Sequence, residues 1–138
     1  MEKEKQLAIN ELKQSSNLLV IVKNGQVQYK SKEKGVSAII DLLDNRPDLL
    51  QEAVVADKVI GRAVAMVCDY ARVKFCYGSV ISESAVEILK KAEIPYEFGK
   101  KVEVIKNRDG TDLCPIEKRA LKTEDSAEGI RMIKDFLK

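Results

Sequence analysis

The stretch Leu18–Lys30 constrains the fold more than any other part of the chain. Leu18-Leu19-Val20-Ile21-Val22-Lys23 is a short apolar run, Asn24-Gly25 follows, and Gln26-Val27-Gln28-Tyr29-Lys30 returns with strict polar–apolar alternation. A type I′ turn needs positive φ at both central residues, and Asn-Gly supplies it. The chain is therefore predicted to double back here as a β-hairpin, with Val22 opposite Val27 and Val20 opposite Tyr29. The first arm is apolar at successive positions and needs cover on both faces. The second arm reads as a half-exposed edge strand.

The rest of the chain supplies that cover. Leu7, Ala8, Ile9 and Leu12 recur at helical spacing and predict an N-terminal helix over about 2–14. Gly35 opens a short helix with Val36, Ile39, Ile40 and Leu43 on one stripe, and Arg46-Pro47 ends it. Ala53–Ala56 reads as a short buried strand. From Lys58 to about Arg72, Val59, Ala63, Met66, Val67 and Tyr70 form one stripe, and Ile60, Val64, Cys68 and Ala71 form a second. A helix apolar on both sides is expected at the centre of a domain. Val73–Tyr77 alternates as a strand. A further helix begins near Ser82-Glu83-Ser84, with Ser84 and Glu87 fitting a capping box and Ala85, Ile88, Leu89 and Ala92 facing inward. Tyr96–Phe98 and Val102–Ile105 are short strand candidates, Asn107–Gly110 is a turn, and no clear period follows until about Lys122. A last helix over about 125–137 turns Ile130, Ile133 and Leu137 inward. A hairpin followed by strand–helix units predicts an α/β domain, a mixed sheet flanked by helices, in one unit spanning 1–138.

Composition narrows the function. The 24 basic and 22 acidic residues leave a formal charge of +2, and with no Trp and 5% aromatics there is neither a basic field nor a stacking platform for nucleic acid. The longest apolar runs, Leu18–Val22 and Val64–Cys68, fall far short of the roughly 20 residues of a membrane span. No apolar signal segment follows the charged start, and three cysteines make no paired framework, so a cytoplasmic location is expected. The chain has no histidine, which removes the usual general base near neutral pH and the commonest metal ligand. Three separated thiols form no recognisable zinc site, so neither metal nor cofactor is expected.

Three stretches go beyond packing. In Asp57-Lys58-x-x-Gly61-Arg62, Asp57 is placed to cap the central helix, while Lys58 opposes the dipole there unless it reaches water, Asp57 or an anion. Ser79–Ser84 leads into the next helix with Ser82 and Glu83 at its start, residues that serve equally as caps or as contacts to an anion or carbonyl. Asn107-Arg108-x-Gly110-x-x-x-Cys114-Pro115-x-Glu117 gathers several reactive residue types in an aperiodic loop. Cys114 is either a small buried hydrophobe or, beside Lys58 or Arg108, an activated thiol.

Together, Asp57-Lys58-Val59-x-Gly61-x-Ala63, Ile81-Ser82-Glu83-x-Ala85 and Asn107-Arg108-x-Gly110 with Cys114-Pro115-x-Glu117 resemble a family of small uncharacterised prokaryotic proteins of the cytidine-deaminase-like fold. The resemblance covers about 18–118, leaving both terminal helices outside it. It implies a three-layer α/β/α domain with a mixed sheet. It also implies a pocket where two helix N-termini face each other across adjacent strands, a donor-rich, anion-favouring place. Zinc deaminases keep their ligands and acid/base Glu at two such helix starts, as H-x-E and P-C-x-x-C. The comparable positions, Asp57-Lys58 and Ser82-Glu83, carry neither signature.

The leading expectation is a small-molecule binding domain, nucleotide-like or anionic in specificity, without zinc-dependent deamination. Gly61, Arg62, Ser82, Glu83, Asn107 and Arg108 are the ligand-binding candidates. One alternative is a metal-independent enzyme with Cys114 or Lys58 as nucleophile and Asp57 or Glu117 as acid or base. The other is a structural module that pairs as a homodimer or with another protein.

Overall fold

A computed structural model of the chain describes residues 1–33, 35–107 and 109–138. Its elements are α1 (Glu2–Gln14), β1 (Leu19–Lys23), β2 (Gln26–Ser31), α2 (Ser37–Asn45), β3 (Val54–Ile60), α3 (Arg62–Ala71), β4 (Phe75–Ser82), α4 (Glu83–Lys91), β5 (Tyr96–Val102), α5 (Pro115–Ala120) and α6 (Ser126–Leu137). The strands form one mixed five-stranded sheet in the order β2-β1-β3-β4-β5. β1 is antiparallel to both β2 and β3, whereas β3, β4 and β5 run parallel.

The hairpin turns at Asn24 and Gly25 with φ of 56° and 76°, the two positive values that a type I′ turn demands. Val22 faces Val27 as expected. Beyond that pair the register slips, so Ile21 meets Tyr29 and Val20 meets Lys30. The expected Val20–Tyr29 pair is thus displaced by a bulge in which Gln28 is the extra residue, a device that increases twist at a sheet edge.

The alternation of strand side chains builds two cores. Val20, Val22, Val54, Ala56, Phe75 and Tyr77 face α1, which packs Ala8, Ile9 and Leu12 against them. The opposite face, including Leu19, Ile21, Val55 and Cys76, lies under the helices that follow the hairpin. The result is three layers, with α1 alone on one side. No helix is long and apolar enough to cross a membrane among the described residues.

Five sequence-based expectations change. β3 does not stop at Ala56 but continues through Asp57, Lys58, Val59 and Ile60, and α3 begins only at Arg62. Parallel pairing with β4 carries the strand on, from Val54↔Phe75 to Ile60↔Ile81. Asp57 is therefore a strand residue rather than a helix cap, and Lys58 does not oppose a helix dipole. Val59 and Tyr70, expected inside, are 43% and 57% exposed. The two short strand candidates after Pro95 are one strand, Tyr96–Val102, which leaves Val104 and Ile105 outside it. The aperiodic stretch holds α5, and Leu137 is exposed at the end of α6.

Candidate functional site

β3 is the strand at which the sheet changes sense, with an antiparallel neighbour on one side and a parallel one on the other. The carboxyl end of β3 lies beside the start of β1, with Asp57 opposite Leu19. A cleft of about 820 Å³ opens there. Its floor is Asp57, Lys58, Val59 and Gly61, one wall includes Val36 and Leu19, and the other is built from Ile105–Asn107 and Cys114–Glu117.

The junction from β3 to α3 depends on Gly61. Its backbone is extended, with φ −92° and ψ −178°, so the need for glycine is not conformational. A Cβ there would collide with the Glu117 carboxyl group, which α5 delivers to the start of α3. Glu117 Oε1 accepts from the Ala63 N–H at 3.3 Å. A carboxylate from far along the chain thus satisfies a first-turn donor of α3 and complements its dipole. Burial pushes the Glu117 carboxyl up, against the opposing pull of the Arg62 and Ala63 amides, the Arg62 guanidinium and the Ser84 hydroxyl.

Arg62 points away from the cleft. It is buried, and its Nε and Nη2 donate to the carbonyls of Ala120 at 2.9 Å and Thr123 at 3.0 Å. Nη1 lies 3.5 Å from both the Ser84 carbonyl and Glu87 Oε2. Expected as a ligand contact, Arg62 instead clamps the chain after α5 onto the helix layer. Ser82 is fully buried, and its Oγ accepts from Ala85 N–H at 3.1 Å, capping α4. Glu83 is exposed at the start of α4; neither it nor Ser82 lines the cleft. The Ala63 N–H at the start of α3 and the Ala85 N–H at the start of α4 are therefore taken by the protein's own oxygens.

Asp57 is different. It is 9% exposed and lines the cleft, and its Oδ1 accepts from the Val59 N–H at 3.2 Å. No lysine or arginine forms an ion pair with it among the described residues. Burial pushes its carboxyl up to about 7, while the neighbouring Val59 and Lys58 amides pull the other way. A carboxyl that titrates near neutral pH in a cleft is suited to proton transfer or to switching between hydrogen-bond donor and acceptor.

The remaining candidates divide. Lys58 and Cys114 line the cleft and are half-buried. Asn107 also lines it, but its Oδ1 accepts from Thr111 N–H at 3.1 Å, closing the local turn. Arg108 lies outside the described residues. Cys68 and Cys76 are buried in the core, where their mutual hydrogen bond, followed by burial, raises the Cys68 thiol well above its ordinary value. Among the described residues no three or more Cys, Asp and Glu side chains gather closely enough to hold a metal ion.

Sequence reasoning missed α5 and the apolar lining that it brings through Ile116. A signal was present: Pro115 opens the helix at its first turn and Glu117 adds an acid there, the usual start pattern.

The profile of the TM1506 family, a domain of unknown function (DUF1893), matches residues 7–137. A crystal structure of a DUF1893 family protein (TM1506) from Thermotoga maritima is similar to this chain with a TM-score of 0.90. The two are 22% identical over 98% of this chain and 90% of that one, which shows a shared fold. No curated protein matches the chain. Since the matched region runs from within α1 to the last residue of α6, the chain belongs to the DUF1893 family.

Proposed function

We propose that the cleft at the carboxyl end of β3 binds a small, nucleotide-sized molecule, on a cytidine-deaminase-like frame and without zinc-dependent deamination. The observation that carries this reading is Asp57, a buried carboxyl group with no cationic partner among the described residues, on the floor of a cleft with largely aliphatic walls. Binding sites for small molecules have this make-up: apolar lining with a few convergent polar groups. Support for the frame comes from α3 and α4, which start side by side after the paired Ile60 and Ile81. Zinc deaminases place their ligands at two such helix starts. Gly61-Arg62 and Ser82-Glu83 stand there in this chain, and none of these offers the imidazole or thiolate of that ligand set.

A thermal-shift screen against nucleobases, nucleosides, nucleotides and sugar phosphates tests the reading. A ligand at about 100 times its Kd adds about 2.7 kcal/mol of stability, a shift of several degrees for a domain of this size. The shift should disappear in Asp57→Ala or Lys58→Ala. If no compound moves the melting temperature and both variants merely lower it, the cleft is a structural feature only.

One observation favours a second reading, covalent chemistry without a metal. Asp57 and Lys58 from β3, and Cys114 and Glu117 from the start of α5, all line the same cleft. A thiol titration in which Cys114 reacts no faster than a free cysteine model would count against its use as nucleophile.

A further inference from the structure

The two edges of the sheet are finished differently. At the β2 edge a bulge breaks the register with β1, while Gly25 N–H donates to Glu4 and Lys30 to Glu11, both on α1. A bulge is one of the devices that keep an edge strand from pairing with another molecule. β5 keeps one register with β4 from Cys76↔Tyr96 to Ser82↔Val102. It runs seven residues without proline, its middle five are exposed, and no strand pairs with its outer side among the described residues. The chain beyond it turns away, with Val104–Lys106 lying near Val59 and Val80. The ladder to β4 fixes which groups of this edge are free. Cys76 N–H donates to the Pro95 carbonyl at 3.1 Å. Along a strand, successive residues direct N–H and C=O to opposite sides, so Glu97, Gly99 and Lys101 bond inward. Tyr96, Phe98, Lys100 and Val102 turn theirs outward. Side chains are sorted as well: Glu97 lies on the α1 face, where Lys5 pairs with its Oε2, and alternation puts Lys101 on that same face.

We infer that β5 is the interface of a homodimer, in which two copies pair antiparallel about a two-fold axis through Gly99 and join their five-stranded sheets into one. In such an isologous pairing every contact occurs twice. About this axis Phe98 faces Lys100 and Tyr96 faces Val102 of the second copy, as hydrogen-bonded pairs that use the outward N–H and C=O groups. Glu97 faces Lys101 of the second copy at both ends, in the non-hydrogen-bonded positions where side chains stand closest. Lys5 engages Glu97 through Oε2, which leaves Oε1 for the incoming ammonium. Gly99 meets its own copy with no side chain in the way. On the opposite face Lys100 comes over the ring of Phe98, which is 42% exposed in the single chain. Shifting the axis by one residue loses the charge match. About Lys100, that lysine meets itself and Glu97 meets Glu103; about Phe98, Glu97 faces Gly99 and Lys101 faces Pro95. Charge thus selects one register, and it selects a second copy of this chain as the partner.

Sedimentation equilibrium of the full chain across the micromolar range tests the inference, with Glu97→Lys and Lys101→Glu as variants. Both positions are exposed, so each variant keeps its fold, which an unfolding curve verifies. The native chain is expected to dimerise as its concentration rises. Either reversal sets like charges opposite each other twice and should weaken the dimer at least about tenfold. An equimolar mixture of the two variants should recover it, because each reversed charge then faces an opposite one again. A native chain that stays monomeric overturns the inference. A dimer that either reversal leaves intact does so too, since another surface then makes it. A mixture that stays as dissociated as its two parts also overturns it, since the register is then wrong.

Discussion

Glu117 and Asp57 are two buried carboxyl groups on one cleft, and they are held in different ways. Glu117 completes a helix: it accepts from Ala63 N–H, lies beside the Arg62 guanidinium, and occupies space that only a glycine at 61 leaves open. Asp57 accepts from the amides of its own strand and has no such frame around it. Burial raises both carboxyl groups, yet the structural consequences are opposite. Removing Glu117 should unfasten α5 from α3, whereas removing the charge of Asp57 should relieve the protein. Burial alone does not distinguish the two acids; their partners do, since Glu117 accepts from another element and Asp57 from its own strand.

The largest expected effect belongs to Asp57→Asn and depends on pH. The folded-state carboxyl titrates at about 7 rather than near 3.8, so the folded protein holds this proton longer than the unfolded chain. Its contribution is fully favourable below about pH 4 and is lost as pH rises to about 7; above that the cost levels off at up to about 4 kcal/mol. Asp57→Asn should therefore gain on the native protein between pH 5 and 8 in urea unfolding. An unchanged gap across that range would put Asp57 on the same structural footing as Glu117.

Arg62→Met should cost about 3 kcal/mol at neutral pH, because the Ala120 and Thr123 carbonyls lose a charged donor. The bond to Glu87 contributes little, since that side chain is 75% exposed. Chemical denaturation measures the loss, and a value near zero would mean that water replaces the guanidinium without penalty.

Gly61→Ala sharpens the contrast most directly. It should cost about 1–3 kcal/mol by driving a methyl group into the Glu117 carboxyl. In a Glu117→Ala background most of that cost should vanish, since the Gly61 backbone is already one that alanine adopts freely. Additive losses in the double-mutant cycle would show that Glu117 is not what Gly61 makes room for. The smallest effect is that of Ser82→Ala, a cap loss of about 1 kcal/mol with no change in ligand binding.

Local chemistry was readable in the sequence and distant chemistry was not. Asn24-Gly25 specifies its turn through backbone sterics alone, and Ser82 caps a helix that starts at the next residue. Both follow from neighbours in the chain. The extension of β3 through Asp57-Lys58 did not, because a charged pair normally interrupts a buried strand; here the cleft accommodates both side chains. α5 is six residues long, too short for a periodic signal, and its Glu117 bonds to an amide 54 positions earlier. Of the ten candidate site residues, Asp57, Lys58, Gly61, Asn107, Cys114 and Glu117 line the cleft. Arg62, Ser82 and Glu83 do not, because the first two are consumed by the frame and the third faces solvent.

The crossing of Glu117 and Arg62 has a thermodynamic consequence. Each side chain reaches into the other's segment, Glu117 from α5 to the first turn of α3 and Arg62 from that turn to the carbonyls at and beyond the end of α5. The far wall of the cleft is thereby fixed to its floor before any ligand arrives. A molecule that binds there has little chain entropy to overcome, so even a small one with few polar atoms could be held tightly.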